Sequence, residues 1–236
     1  MPMAVSQFYG SDLGNRLIDP RRFPDGIKLF LSEEERLLDS MSSSFDLLVE
    51  IGCMHGRYLN WAVARKTAYL GVDIVQSYVD EGQENVRQLG LDQTKYRFAR
   101  CGAENIETIT TPAKLRVDAS RVLLFFPFNS IGNIARLEPV ILALKMANSP
   151  FLISTYGTDD EATRVRSVYY AKCGYEALEC CKESRGIRFR SPLGFCSIAY
   201  HPAYVADAFR KHGITVDAVV FAEIGIGYKN RNSVTQ

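Results

Sequence analysis

A doubly wound α/β fold is predicted from three features of the chain. Five short apolar runs alternate with segments of helical period between residues 45 and 156. The run "RVLLFFPF" (121–128) is apolar on both faces, as a central strand of a largely parallel sheet must be. The loops with the most polar chemistry all follow strands, so they can converge on one rim, where ligands of such sheets bind.

The elements follow in order. "FDLLVEI" (45–51) reads as the first strand, residues 57–66 as a helix and "AYLGVDI" (68–74) as the second strand. Val75, Tyr78, Val79, Val86 and Leu89 recur at helical spacing, and Gly90 supplies a stop. "KYRFARC" (95–101) alternates as a third strand, and 121–128 is the fourth. Ile134, Leu137, Ile141 and Leu144 mark a helical face that Pro139 breaks or restarts, and "PFLISTY" (150–156) is the fifth strand. After an insertion, "PAYVADAFRKHG" is amphipathic, with His212 at its end, and "ITVDAVVFAEIGIGY" supplies two closing strands.

This reading divides the chain into an N-terminal arm or lid (1–40), a core (41–156), an inserted cap (157–200) and a C-terminal completion of the core (201–236). Within the arm, Ser32 and Glu35 have the spacing of a capping box for a short helix. Within the cap, a helix-like stretch (159–175) precedes an antiparallel pair, "GIRFR" and "FCSIAY".

Composition removes several function classes. Lys and Arg number 28 against 27 Asp and Glu, a formal charge of +1, so no general electrostatic attraction to nucleic acid or anionic membrane is expected. The N-terminus predicts no signal peptide, and the longest apolar run is far too short to cross a bilayer. Cysteines at 53, 101, 173, 180, 181 and 196 form no CxxC pair, which argues against a metal site or a disulfide framework. Reduced, mostly buried thiols and a cytoplasmic location are the expectation. The composition is compatible with a homo-oligomer.

The chemistry concentrates in "VEIGCMHG". Glycines after a first strand let backbone approach a ligand closely, and the next helix presents free N–H groups. A dinucleotide fingerprint needs G-x-G-x-x-G. Here Met54 stands where its middle glycine would be, and Glu50 precedes the turn. A carboxylate there disfavours a pyrophosphate and suits a ligand carrying an ammonium or sulfonium charge.

With these residues the sequence resembles the class I S-adenosylmethionine (SAM)-dependent methyltransferases. Their first motif, an acidic residue followed by G-x-G-x-G, is matched by Glu50, Gly52, Cys53, Met54 and Gly56, with the middle glycine replaced. Their second, an acidic residue ending strand two, falls on Asp73, followed by Ile74; such a carboxylate can accept both ribose hydroxyls. Their third, after strand three, falls on Gly102, Ala103 and Glu104, and their fourth on "FFPFNSIGNI", with Phe126 and Phe128 beside the cofactor. The resemblance implies a Rossmann-like seven-stranded sheet, SAM as cofactor and S-adenosylhomocysteine (SAH) as product.

The fourth motif also bears on the acceptor. It lacks the N/D-P-P-Y/F stretch of base and glutamine-amide methylation, the acidic ligands of metal-dependent catechol-type enzymes, and the D-P-W-P of the transfer-RNA guanine-N7 family. No cysteine lies between 102 and 172 to serve cysteine-based base methylation. "FNSIGN" is similar instead to loops of small-molecule methyltransferases, including glycine N-methyltransferase-like enzymes. The expectation is therefore methylation of a small molecule, with nitrogen favoured over oxygen, in a specialised-metabolite (natural product) pathway.

An oxygen acceptor would need a general base, and His55 or His201 is the candidate. Asn129 could orient the acceptor. Tyr9, Asn133, Tyr156, Tyr169 and Tyr170 are candidates to wall a flat substrate, and Arg188 with Arg190 to clamp an anionic one. The more distant alternatives are an RNA methyltransferase and a SAM- or nucleotide-binding module without turnover.

Overall fold

The computed structural model describes residues 5–111, 115 and 117–230. Residues 1–4 of the expected arm and 231–236 of the expected C-terminal completion lie outside the described residues.

The apolar runs form the strands β1 (Leu47–Ile51), β2 (Ala68–Asp73), β3 (Tyr96–Arg100), β4 (Val122–Phe126) and β5 (Phe151–Tyr156), closed by β9 (Val216–Phe221) and β10 (Gly225–Asn230). Their order is β3-β2-β1-β4-β5-β10-β9, parallel through β5, with β10 antiparallel to both of its neighbours. Strand order reverses between β1 and β4. Every residue of β1, β4 and β5 is buried, because helices cover both faces of the sheet.

Two-residue periodicity then separates two cores. Val49, Ile51, Leu124 and Phe126 pack against α6 (Leu137–Ala147) and α8 (Pro202–Lys211). Leu48, Leu123 and Phe125 face α4 (Leu59–Ala64) and α5 (Gln76–Gln88) on the other side. Full burial of each such side chain contributes about 1.5–3 kcal/mol. The helix after β4 starts at Leu137, placing Pro139 in its first turn, where no helical N–H is required.

A third core joins the two ends of the fold. It contains Phe8 of α1 (Val5–Tyr9), Phe23, Ile27 and Phe30 of the arm, and Tyr169 and Tyr170 of α7 (Asp160–Lys172). A separate antiparallel sheet, β6 (Glu179–Glu183), β7 (Gly186–Arg190) and β8 (Cys196–Tyr200), follows α7. The sequence anticipates β7 and β8 but not β6, whose ECCKE lacks apolar alternation because it is a largely exposed edge.

Two local expectations are corrected. The helix read from Ser32 is α3 (Asp25–Asp39), following a short α2 (Asp12–Asn15), and it begins after Pro24. Ser32 lies inside it, so the Ser32–Glu35 capping box does not form. Burial of Ile27, Phe30, Glu34 and Leu38 along one stripe carries the helix upstream. Of the cysteines, only Cys53 and Cys173 are buried, while Cys180 and Cys196 are exposed on the small sheet.

Candidate active site

β1 ends at Ile51, and the chain reverses through Gly52 (φ +77°), Met54 (φ +49°) and Gly56 (φ +89°). The N–H groups of Gly52 and Cys53 donate to Val72 O at 2.8 and 3.1 Å, pinning the turn to β2. A side chain at Gly56 would place its Cβ 2.6 Å from Phe98 Cζ, so only glycine fits. Met54 holds the left-handed conformation without that freedom, at a cost of about 1–2 kcal/mol. Its N–H donates to Asp73 Oδ2 at 3.0 Å, a charge-assisted bond that offsets the cost.

Asp73 therefore joins the first two motif loops. Its Oδ1 accepts from Val75 N–H at 2.9 Å at the start of α5. Burial pushes its carboxyl above the usual range, and the N–H donors of Val75 and Met54 pull it back. Ile74 beside it, and Ala103 and Glu104 after β3, face the same space.

The loop after β4 carries two successive non-glycine residues in the left-handed region, Phe128 (φ +48°) and Asn129 (φ +58°). Such strain persists only where surrounding structure imposes it. Phe128 N–H donates to Glu34 Oε1 at 2.6 Å, and Asn129 N–H to Ser154 O at 2.9 Å. The Asn129 amide donates to Ser197 Oγ (3.0 Å) and Ile198 O (3.2 Å) and accepts from the Thr155 hydroxyl. Asn129 thus ties β5, β8 and the loop together, and its amide is occupied by protein partners.

These loops line a cavity of about 760 Å³ at the carboxyl ends of β1 to β5. Tyr9, Tyr156, Tyr169 and Tyr170 also line it, bringing the arm, β5 and α7 to the same space. The Tyr169 hydroxyl donates to Leu17 O, and the Tyr78 hydroxyl to Tyr9 O and Asn15 Oδ1, so tyrosines hold the arm over the cavity. The Tyr9 hydroxyl, Ser130 Oγ and Asn133 Oδ1 are buried on its lining without a hydrogen-bond partner among the described residues. Orphaned polar atoms in a roomy cavity suit a ligand that supplies donors and acceptors.

Other expected site residues are placed elsewhere. Glu50 points beneath the turn, fully buried, where Oε2 accepts from Tyr58 N–H (3.0 Å) and Tyr69 OH (2.6 Å). Burial pushes its carboxyl up to about 8 against those donors, and Glu50 is not on the lining of the cavity. Phe126 faces the core because strand alternation turns it inward, and Gly102 stands outside the lining. His201 precedes α8, with its Nδ1 2.9 Å from Thr158 Oγ1, and does not reach the cavity. Arg188 pairs with Glu183 at 2.6 Å and Arg190 with Glu179 at 2.5 Å, cross-strand partners on the small sheet.

His55 does line the cavity, but its Nδ1 lies 2.8 Å from Glu81 Oε2 and its ring packs edge-on to Tyr78 at 4.6 Å. The ring engages α5, and only through Tyr78 does it reach the arm.

Sequence reasoning missed Arg57, Phe23 and Phe195 on the lining and Glu34 behind it. Glu34 had a legible signal, an acidic residue on the same helical stripe as Ile27, Phe30 and Leu38. Arg57 had none beyond following Gly56.

No protein-family model matches the sequence, and no curated protein matches it. Solved structures do match the fold. The 1,6-didemethyltoxoflavin-N1-methyltransferase of Burkholderia thailandensis, crystallised with 1,6-didemethyltoxoflavin and SAH, has 13% identity, covers 98% of this chain and 92% of its own, and superposes with a TM-score of 0.57. The glycopeptide N-methyltransferase MtfA complexed with SAM has 10% identity, 85% and 93% coverage, and a TM-score of 0.56. The PH0226 protein of Pyrococcus horikoshii has 11% identity, 95% coverage of both chains and a TM-score of 0.59. The chain shares its fold with these structures, two of which are SAM-dependent methyltransferases crystallised with SAM or SAH.

Proposed function

We propose that the protein is a SAM-dependent methyltransferase acting on a small molecule, with nitrogen as the favoured acceptor atom. The observation that carries this reading is convergence. The glycine turn, Asp73 and the loops after β3 and β4 meet on one cavity at the point where strand order reverses. Two of the structurally similar proteins are N-methyltransferases, one of 1,6-didemethyltoxoflavin and one of a glycopeptide, which supports nitrogen as the acceptor atom; a specialised-metabolite pathway is part of the same proposal.

In this reading the backbone from Gly52 to Gly56 receives the amino-acid end of SAM, Asp73 the ribose hydroxyls, and Ala103 with Glu104 the adenine edge. SAM supplies, when bound, a methyl group activated by a positively charged sulfur. The chain's contribution is alignment and exclusion of water, since reacting atoms must be held within about 3–3.5 Å. The arm and the segment 157–200 act as lid and cap, closing the cavity with Tyr9, Tyr169 and Tyr170. An amine acceptor needs little base assistance, which agrees with His201 lying outside the cavity.

The test is binding followed by transfer. Bound ligand favours the native state, so SAM and SAH raise the melting temperature and titrate to a single site. Absence of any shift at millimolar SAH rejects the cofactor assignment. A screen of amine and hydroxyl acceptors with radiolabelled SAM then identifies the atom methylated.

A further inference from the structure

The acceptor end of the cavity has a composition of its own. Rings from the arm (Phe23), the β4 loop (Phe128), β5 (Tyr156), α7 (Tyr169, Tyr170) and the loop before β8 (Phe195) line it together. Neighbouring centroids lie 4.6 to 6.1 Å apart, from Tyr170–Phe195 to Phe23–Phe128. Such a wall offers edge and face contacts to another flat ring.

Two guanidiniums line the cavity: Arg136 is exposed, just before α6, whereas Arg57 stacks on a ring of this chamber. Arg57 lines the cavity, and its Cζ lies 4.9 Å from the Phe128 centroid. Among the described residues its side chain makes no hydrogen bond or ion pair. The nearby acid, Glu34, feels the Arg57 charge but makes no hydrogen bond or ion pair with it, accepting instead from Tyr58 OH and Phe128 N–H. Arg188 and Arg190, by contrast, are paired outside the cavity. A guanidinium presents a fork of donors matched to carboxylates, and stacking on a ring preorganises it. The Tyr9 hydroxyl is another polar group on the lining without a partner among the described residues.

We infer that the acceptor is a planar aromatic molecule carrying a carboxylate or equivalent anionic group, and that Arg57 binds that group. This rests on the methyltransferase reading, because it assumes that the glycine turn and Asp73 hold the cofactor half of the cavity. The aromatic rings select the flat body, and Arg57 selects charge at its edge, so Arg57 determines specificity without touching the methyl group.

The test uses the SAH-loaded protein and matched probes: benzoate, anthranilate and 2-naphthoate against benzamide, anthranilamide and 2-naphthamide, by calorimetry. At least one acid binds the wild type tenfold or more tightly than its amide. Arg57→Met removes that preference while leaving amide affinity unchanged, and Arg57→Lys restores part of it. Equal affinity for acids and amides overturns the inference, as does an acid preference that survives Arg57→Met or a failure of every probe to bind. SAH and 5′-methylthioadenosine, which lacks the amino-acid end, are titrated into both variants. A tenfold loss for SAH alone in Arg57→Met assigns Arg57 to the cofactor's own carboxylate and also overturns the inference. If the wild type binds no SAH, the underlying reading falls too; if SAH binds and the probes fail, only this inference does.

Discussion

The Tyr58 hydroxyl donates a 2.6 Å hydrogen bond to Glu34 Oε2, tying the N-terminal helix α3 to the turn that follows β1. The same Glu34 holds Phe128 N–H through its other oxygen, at 2.6 Å, in the loop that follows β4. One buried carboxylate thus fixes the two loops that frame the cavity. Burial pushes that carboxyl up, and the Arg57 charge opposes the shift. Glu34→Ala leaves two buried donors without an acceptor and releases the left-handed Phe128. Destabilisation of about 2–4 kcal/mol is expected in urea unfolding, together with weaker SAH binding. Loss of stability below about 0.5 kcal/mol contradicts this role.

Glu50 predicts a pH dependence. Its carboxyl is raised by burial to about 8 in the fold, above its ordinary value near 4.5. Between those values the folded protein holds a proton that the unfolded chain releases, so this group lowers stability as pH rises through the window. Glu50→Gln keeps an acceptor for Tyr58 N–H and does not titrate. Unfolding free energies at pH 5.5 and 8 should fall less in the variant than in the wild type. Identical slopes mean that Glu50 stays ionised in the fold.

Asp73→Ala removes the acceptor of Met54 N–H as well as that proposed for the ribose. The expected result is a tenfold or larger rise in the SAH dissociation constant, with stability reduced by about 1–2 kcal/mol. Unchanged SAH affinity with reduced stability assigns Asp73 to the turn alone.

Gly56→Ala tests whether the turn is shaped by close approach. The new Cβ would lie 2.6 Å from Phe98 Cζ on a backbone at φ +89°. A loss of about 1–3 kcal/mol is expected, from clash and from the left-handed backbone. Phe98→Leu in the same chain relieves the clash but not the backbone strain. The double variant should therefore recover part of the loss.

His55→Ala separates backbone from ring. With the ring held against Tyr78 and Glu81, SAH affinity should change less than threefold, and methyl transfer should be retained. A hundredfold fall in turnover at unchanged SAH affinity restores His55 as the base.

Much of the fold was legible because its signals are local. Apolar runs of period two and helices of period 3.6 located the seven strands of the main sheet, since burial on both faces leaves little choice of residue. β6 was not legible, because an exposed edge strand held by pairing to β7 needs no apolar residue. Likewise the sequence signals only the second half of α3, since its start depends on what Ile27 and Phe30 pack against.

For the site, the sequence by itself determined the glycine turn, Asp73 and the loops after β3 and β4. Each is a backbone position beside a strand end, and parallel strands carry all of them to one rim. Only the tertiary structure decided which side chains enter the cavity. Glu50 turned beneath the turn and became a buried acid, while Arg188 and Arg190 were claimed by Glu183 and Glu179. Arg57 was left facing the aromatic chamber. Glu34 and Phe128 meet from far apart in the chain, and the nearer partners of Arg188 and Arg190 meet only once β6 pairs with β7. Orientation, desolvation and pairing are properties of the packed assembly, and no local pattern of residues encodes them.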